Sequence, residues 1–171
     1  MKYEIFTIPI FIDTVDLTKI SIDEQEYEPC WLSDTPSSFG KQHKISDETL
    51  AHLVEIFNRN LGDLIGANPR LGHVWRNKYS ENDWQDIHIH PHSSWSFIIY
   101  ESVKESRTVF MNPNYKDIQN HFGMNLKEFP LDFRPQLSTG DIIIFPSFLE
   151  HFVRPGNSGT TISGNLYMDY Q

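Results

Sequence analysis

A single cysteine, Cys30, in 171 residues excludes a disulfide framework within the chain. The simplest setting for such a chain is a reducing, cytoplasmic one. Basic residues are scarce: 14 Lys and Arg stand against 23 Asp and Glu, a formal net charge of −9. That balance argues against a nucleic-acid backbone or an anionic membrane as the partner. No apolar run approaches the ~20 residues of a membrane span. The N-terminal stretch 1–12 is apolar but carries Glu4 and lacks a small-residue cleavage site. It reads as a first strand with Pro9 at an edge or bulge, not as a signal peptide. There is no phosphate-cradling glycine loop, no Gly-x-Ser-x-Gly elbow, no repeat and no low-complexity segment. Length and composition are those of one domain, 1–171, with a sizeable core.

Aromatics, β-branched residues and turn clusters are plentiful. Residues 46–65 form the clearest helical pattern. Leu50, Leu53, Val54, Phe57, Leu61, Leu64 and Ile65 recur on one predicted face, with Ser46 or Asp47 as cap and Gly66 as stop. That stripe predicts a helix packed on the outside of a sheet. Residues 34–44 read as a loop. Short strands are expected at 72–77, 84–90, 95–102, 108–111, 128–133, 141–145, 151–154 and 161–170, with one short helix at 115–122. Many short strands divided by clusters such as Asn112-Pro113-Asn114 and Ser138-Thr139-Gly140 indicate a sandwich or barrel.

The stretch with chemical content is Asp86-Ile87-His88-Ile89-His90-Pro91-His92. Side chains at i and i+2 of a strand share a face, so His88 and His90 can converge while Ile87 and Ile89 turn to a core. Pro91 cannot donate a ladder hydrogen bond and should end or bend the strand, which separates His92 from the pair. A third histidine, His151, follows a glycine turn, a buried-looking strand and a proline corner (Gly140 to Pro146). Neutral imidazoles suit iron, zinc, nickel or copper. His43, His73 and His121 have no such pattern and read as structural or exposed.

Two motifs together resemble a known family. His88-x-His90-Pro91-x-Ser93-x-x-Ser96, followed by Tyr100, and Phe145-Pro146-Ser147-x-Leu149-x-His151-x-Val153-x-Pro155 resemble the two signatures of 2-oxoglutarate/Fe(II)-dependent oxygenases of bacteria and tailed phages. Trp75 and Asn77 resemble the approach to the first signature in that family, and Ser163 and Asn165 the closing of its last core strand. The resemblance implies a mainly β fold, the double-stranded β-helix or jelly roll, and an oxygenase hydroxylating an unidentified small molecule or protein side chain. It implies Fe(II) as cofactor and 2-oxoglutarate as cosubstrate, converted to succinate and carbon dioxide. Iron in the wider superfamily sits on a His-x-Asp/Glu…His triad. His88 and His151 match the histidine positions, and His90 stands where the acid belongs. The metal set is thus His88, His90 and His151, with Asp86 as the acidic alternative to His90.

A second departure concerns the cosubstrate. The family usually has an arginine about ten residues past the distal histidine, to pair with the far carboxylate of 2-oxoglutarate. Here Thr160 and Thr161 stand there. Arg107, Arg154 or Lys104 are the candidate substitutes, Arg107 first, helped by Tyr100 or Thr161, with Asn165 orienting the keto acid or a histidine. The alternative reading is a cupin-like metal protein, or a non-catalytic binding domain on the same fold. Gly140, Pro146 and His151 also fit the second cupin motif, whereas the glutamate of the first is absent from 91–95. A basic side chain facing the metal would favour the oxygenase. A sealed pocket without one would favour the cupin.

Overall fold

Alternation along the central strands builds the molecule. In the computed structural model, which describes residues 7–30, 35–65, 68–122, 129–156 and 158–169, two antiparallel sheets face each other. The larger contains β1 (Phe11–Thr14), β2 (Glu28–Pro29), β3 (Pro36–Ser37), β4 (Asn68–Tyr79), β6 (Trp95–Val103), β9 (Asp141–Pro146) and β11 (Gly159–Asp169). Their order is β1-β9-β6-β11-β4-β3-β2. The smaller contains β5 (Gln85–His88), β7 (Thr108–Met111), β8 (Asp132–Phe133) and β10 (His151–Val153), ordered β5-β10-β7-β8. Two α-helices, α1 (Asp47–Ile65) and α2 (Tyr115–Phe122), and one turn of 3-10 helix at Leu17–Lys19 complete the described elements. This is the jelly roll, mainly β, with a helix packed on it.

The larger sheet is covered on both faces, so its central strands read as continuous apolar runs. Phe97, Ile99, Ile142, Ile144 and Ile162 turn to one side and meet Leu53, Ile56, Phe57 and Leu61 of α1. Ile98, Tyr100, Ile143 and Phe145, the alternate residues, turn to the other side and meet Phe110, Leu137 and Leu149. Full burial of each large apolar side chain is worth ~1.5–3 kcal/mol. Gly164 lies under α1's contact layer, where a Cβ would come within 2.5 Å of the Phe97 ring. The helix starts where the sequence places its cap: Ser46 Oγ accepts the Thr49 N–H at 3.1 Å.

Some expectations change. The buried stripe of α1 is Leu53, Ile56, Phe57 and Leu61, whereas Leu50 and Leu64 are 41% and 53% exposed. The sheet meets a narrower arc of the helix than the apolar residues span, and Ile56 falls at its centre. Ile87 and Ile89 are also exposed, at 40% and 43%. They enter no core: β5 is an edge strand of the smaller sheet, and Ile89, past its end, lines the outer cleft. Strand β5 ends at His88, β4 starts earlier and runs further than expected, and β8 is only Asp132–Phe133. The expected loop includes the short β3. Met1 to Phe6, Asp34, Gly66, Glu128 and Tyr170 lie outside the described residues.

Candidate metal centre

Strand pairing brings His88 and His151 together. They are directly opposed across the antiparallel β10–β5 ladder, where facing side chains are near neighbours. His90 arrives differently. Its chain has left β5, and its backbone N–H is held by the Ser147 carbonyl at 2.9 Å. The turn that follows places His92 at φ 66°, exposed and outside the cluster. The result is that His88, His90 and His151 each offer a ring nitrogen, and these atoms lie within 4.8 Å of one another. Asp86 is not among them. Its carboxylate turns back onto the Ile87 backbone N–H at 2.8 Å. No acidic side chain joins the group among the described residues.

The remaining nitrogens settle which atom faces inward. His88 Nδ1 lies 2.7 Å from the Asp86 carbonyl oxygen, and His151 Nδ1 lies 3.0 Å from that of Leu149. His90 Nδ1 lies 2.8 Å from Asn165 Oδ1. Each partner is an acceptor, so each Nδ1 carries the proton and donates it. Every Nε2 is left with a lone pair for the common point. Asn165 is itself steadied, since its Oδ1 also accepts from Ser96 Oγ at 3.2 Å and Ser96 bonds Ser147 at 2.8 Å. Aromatic walls pack the rings: Phe145 lies 4.8 Å from His151 and Trp75 lies 5.3 Å from His90, between centroids.

The same burial keeps the imidazoles neutral. Desolvation pushes His90 down to about 4, aided by the neighbouring His88. It pushes His151 well below its ordinary value, and His88 downward as well. Three neutral, oriented imidazoles are a donor set for a borderline transition-metal ion such as Fe(II). The residues present therefore fit iron.

Two spaces open beside the cluster. An inner cavity of about 30 Å³ is bounded by the three histidines and by Asn77, Tyr79, Gln85, Thr108, Thr161 and Ser163, with Trp75, Ile98 and Val153 as apolar wall. An outer cleft of about 480 Å³ shares Trp75, Asn77, Gln85, His88 and His90 with it, and adds Phe39, Ile89 and Tyr167. Thr161 lines the inner cavity and Asn165 the outer cleft. Tyr100, Arg107 and Arg154 line neither. The Tyr100 hydroxyl donates to Thr108 Oγ1 at 2.9 Å and accepts from Ser106 Oγ at 3.2 Å inside the fold. Arg107 pairs with Glu105 at 3.0 Å and lies over Gly156. Lys104 is exposed. No Lys or Arg lines the inner cavity among the described residues, yet the cavity is not sealed, because it adjoins the cleft. Tyr79, Gln85 and Thr108 line the inner cavity without having been singled out from the sequence. Tyr79 continues the alternate positions 75, 77 and 79, a signal that was present in it.

Residues 73–164 match the family described as "Putative 2OG-Fe(II) oxygenase". Among solved structures, the fold is similar to HygX from Streptomyces hygroscopicus crystallised with nickel and 2-oxoglutarate. That match has TM-score 0.51 and 11% identity, covering 92% of this chain and 82% of that one. A 2OG-Fe(II) oxygenase-family oxidoreductase from Burkholderia pseudomallei matches with TM-score 0.48 and 13% identity, over 91% of this chain and 71% of that one. A Pseudomonas putida prolyl-4-hydroxylase matches with TM-score 0.48 and 11% identity, over 85% and 78%. No curated protein sequence matches the chain. No described helix is long and apolar enough to cross a membrane. The family match spans more than half of the chain and contains both histidine signatures, and the protein belongs to the 2OG-Fe(II) oxygenase family, whose cofactors are Fe(II) and 2-oxoglutarate.

Proposed function

We propose that the protein is an oxygenase in which His88, His90 and His151 hold Fe(II) and which hydroxylates a substrate bound in the outer cleft, the whole chain acting as one domain. The observation that carries this reading is the triple arrangement of Nδ1 donors, which leaves three Nε2 atoms facing one point. Metal-ligating histidines almost always donate the other ring N–H to an acceptor, which fixes the tautomer and the ring orientation. Bound Fe(II) with 2-oxoglutarate and dioxygen supplies oxidative decarboxylation to succinate and carbon dioxide, with the second oxygen atom inserted into a substrate C–H bond.

The chain's own residues do the rest. Asn165 and the Leu149 and Asp86 carbonyls hold the rings in one orientation. Phe145 and Trp75 keep water from the rings. Phe39, Trp75, Ile89 and Tyr167 line a cleft of about 480 Å³, which suits a small molecule or one protein side chain with an apolar part. The cleft's described lining contains no Asp or Glu, in a chain of net charge −9. A neutral or anionic group therefore enters with little repulsion.

The test is metal analysis and a turnover assay on anaerobically iron-loaded protein. The expected outcome is one iron per chain and succinate formed from 2-oxoglutarate. Metal without any decarboxylation, with a full panel of candidate substrates, would favour the second reading, a cupin-like metal protein. The cation-free inner cavity is the observation on that side.

A further inference from the structure

Resting on that reading, the inner cavity says how a 2-oxo acid is held. A 2-oxo acid chelating a metal at the three histidines must place its tail in the space beside them. In so buried a space, a distal carboxylate needs a cation or several donors. The described lining of the inner cavity has neither Lys nor Arg, and Lys41, which lines the adjoining cleft, is paired with Glu28 at 2.9 Å. The nearest arginine in sequence is Arg76, but alternation along β4 turns it to the other sheet face. There it forms a forked pair with Glu101, at 3.0 and 2.8 Å from Nε and Nη2, and bonds the Ile22 carbonyl at 3.2 Å. Thr160 and Thr161, which stand where the resemblance places an arginine, have no charge.

What the cavity holds is an unspent amide. Asn77 is 2% exposed and lines both spaces. Its Nδ2 makes only long contacts, 3.5 Å to Thr161 Oγ1 and 3.3 Å to Ser163 Oγ, and its Oδ1 has no partner. The two amide atoms are told apart only by their bonds. With the amide turned over, Oδ1 accepts from the Thr161 and Ser163 hydroxyls and the NH2 group takes the buried position that has no partner. That state satisfies the hydroxyls and leaves a donor for an anion. Neutral donors can hold a carboxylate, but more weakly than a guanidinium fork.

We propose that Asn77 is the binding residue for the tail of the 2-oxo acid, and that this uncharged anchor makes the site tolerant of oxo acids whose tails carry no charge. With neutral donors only, the bonds gained by a distal carboxylate are offset by its loss of water. An alkyl tail loses the bonds but keeps contact with Trp75, Ile98 and Val153.

The experiment is anaerobic calorimetric titration of the Fe(II)-loaded protein with 2-oxoglutarate and with 2-oxopentanoate, which has the same carbon chain and no distal carboxylate. The expected preference for 2-oxoglutarate is less than about tenfold in Kd, about 1.4 kcal/mol. A larger preference overturns the proposal. The near-isosteric Asn77→Asp should weaken 2-oxoglutarate at least tenfold more than 2-oxopentanoate, with metal affinity unchanged. Equal weakening of both acids overturns the assignment to Asn77. Should Asn77→Asp lose metal, Thr161→Arg serves instead. Adding the guanidinium should shift preference toward 2-oxoglutarate by at least tenfold, and no shift counts against an anchor at this end of the cavity. If iron binds and neither acid does, the oxygenase reading itself fails, a result distinct from a strong 2-oxoglutarate preference.

Discussion

The two faces of the larger sheet come from the same strands and do opposite work. On the helix side, Phe97, Ile99, Ile144 and Ile162 meet α1 in an unbroken apolar layer. On the other side, the apolar layer of Ile98, Tyr100, Ile143 and Phe145 gives way to Asn77, Thr161, Ser163 and Asn165 beside the histidines. A two-residue period lets one strand serve both. Residue 162 stabilises the fold, and residues 161 and 163 line the site, without either interfering with the other. If this division holds, substitutions on one face should change stability and leave the metal alone, and those on the other should do the reverse.

The largest expected effect is His151→Ala. It removes one of the three proposed ligands and the buried ring at the centre, and iron should no longer be retained through gel filtration, while the far-ultraviolet circular dichroism stays native. Tight stoichiometric metal in that variant would end the triad assignment. Phe57→Ala probes the other face. Phe57 is fully buried against Phe97, at 5.1 Å between centroids, and its truncation should cost about 3–5 kcal/mol in urea unfolding. Metal affinity of the folded variant should be unchanged, and a shift beyond about threefold would show that the faces are coupled.

Acid should separate them again. His90 is held down to about 4 in the folded state, against an ordinary value of 6.5. Between those values the unfolded chain binds more protons than the folded one, so the metal-free protein loses stability as pH falls from 6.5 toward 4. The loss from His90 alone is on the order of 3 kcal/mol. His88 and His151, shifted in the same direction, steepen it. A flat unfolding profile of the metal-free protein across this window would contradict the buried neutral cluster. Replacing Asn165 by Ala tests the orienting shell. The His90 ring loses its Nδ1 acceptor, and metal affinity should drop about 10–100-fold. The smallest effect belongs to Tyr100→Phe. Its hydroxyl bonds Thr108 and Ser106 away from both spaces, so the change should cost about 1 kcal/mol of stability. Binding of 2-oxoglutarate should be untouched, and a weakened Kd would bring Tyr100 back as a cosubstrate contact.

Local pattern made much of this legible. The spacing of His88 and His90, the glycine-strand-proline run before His151 and the capped helical stripe are all short-range signals. They led to a β sandwich or barrel, the histidine cluster and the packed helix, and the resemblance of the two histidine motifs to a known family implied the jelly roll. Wherever the answer depended on what lay across from a strand, pattern alone did not reach. Ile87 and Ile89 alternate with the histidines like core residues, but they lie on and just past an edge strand and stay exposed. Leu50 and Leu64 belong to the helical stripe by period, and the sheet is too narrow an arc to cover them.

The cosubstrate anchor shows the same boundary. Arginines at 107 and 154 can be named from sequence as replacements for a missing one, because charge is a property of the residue. Whether a guanidinium reaches a cavity depends on strand offsets and neighbours, and here Glu105 and Gly156 hold Arg107 elsewhere. Residue types and their period of two therefore dictated the strands, the shared faces and the three imidazoles in this chain. The meeting of His88 with His151 across the β5–β10 ladder, the common orientation of three Nδ1 donors and the uncharged lining around Asn77 arise from contacts between residues distant in sequence, which no local period encodes.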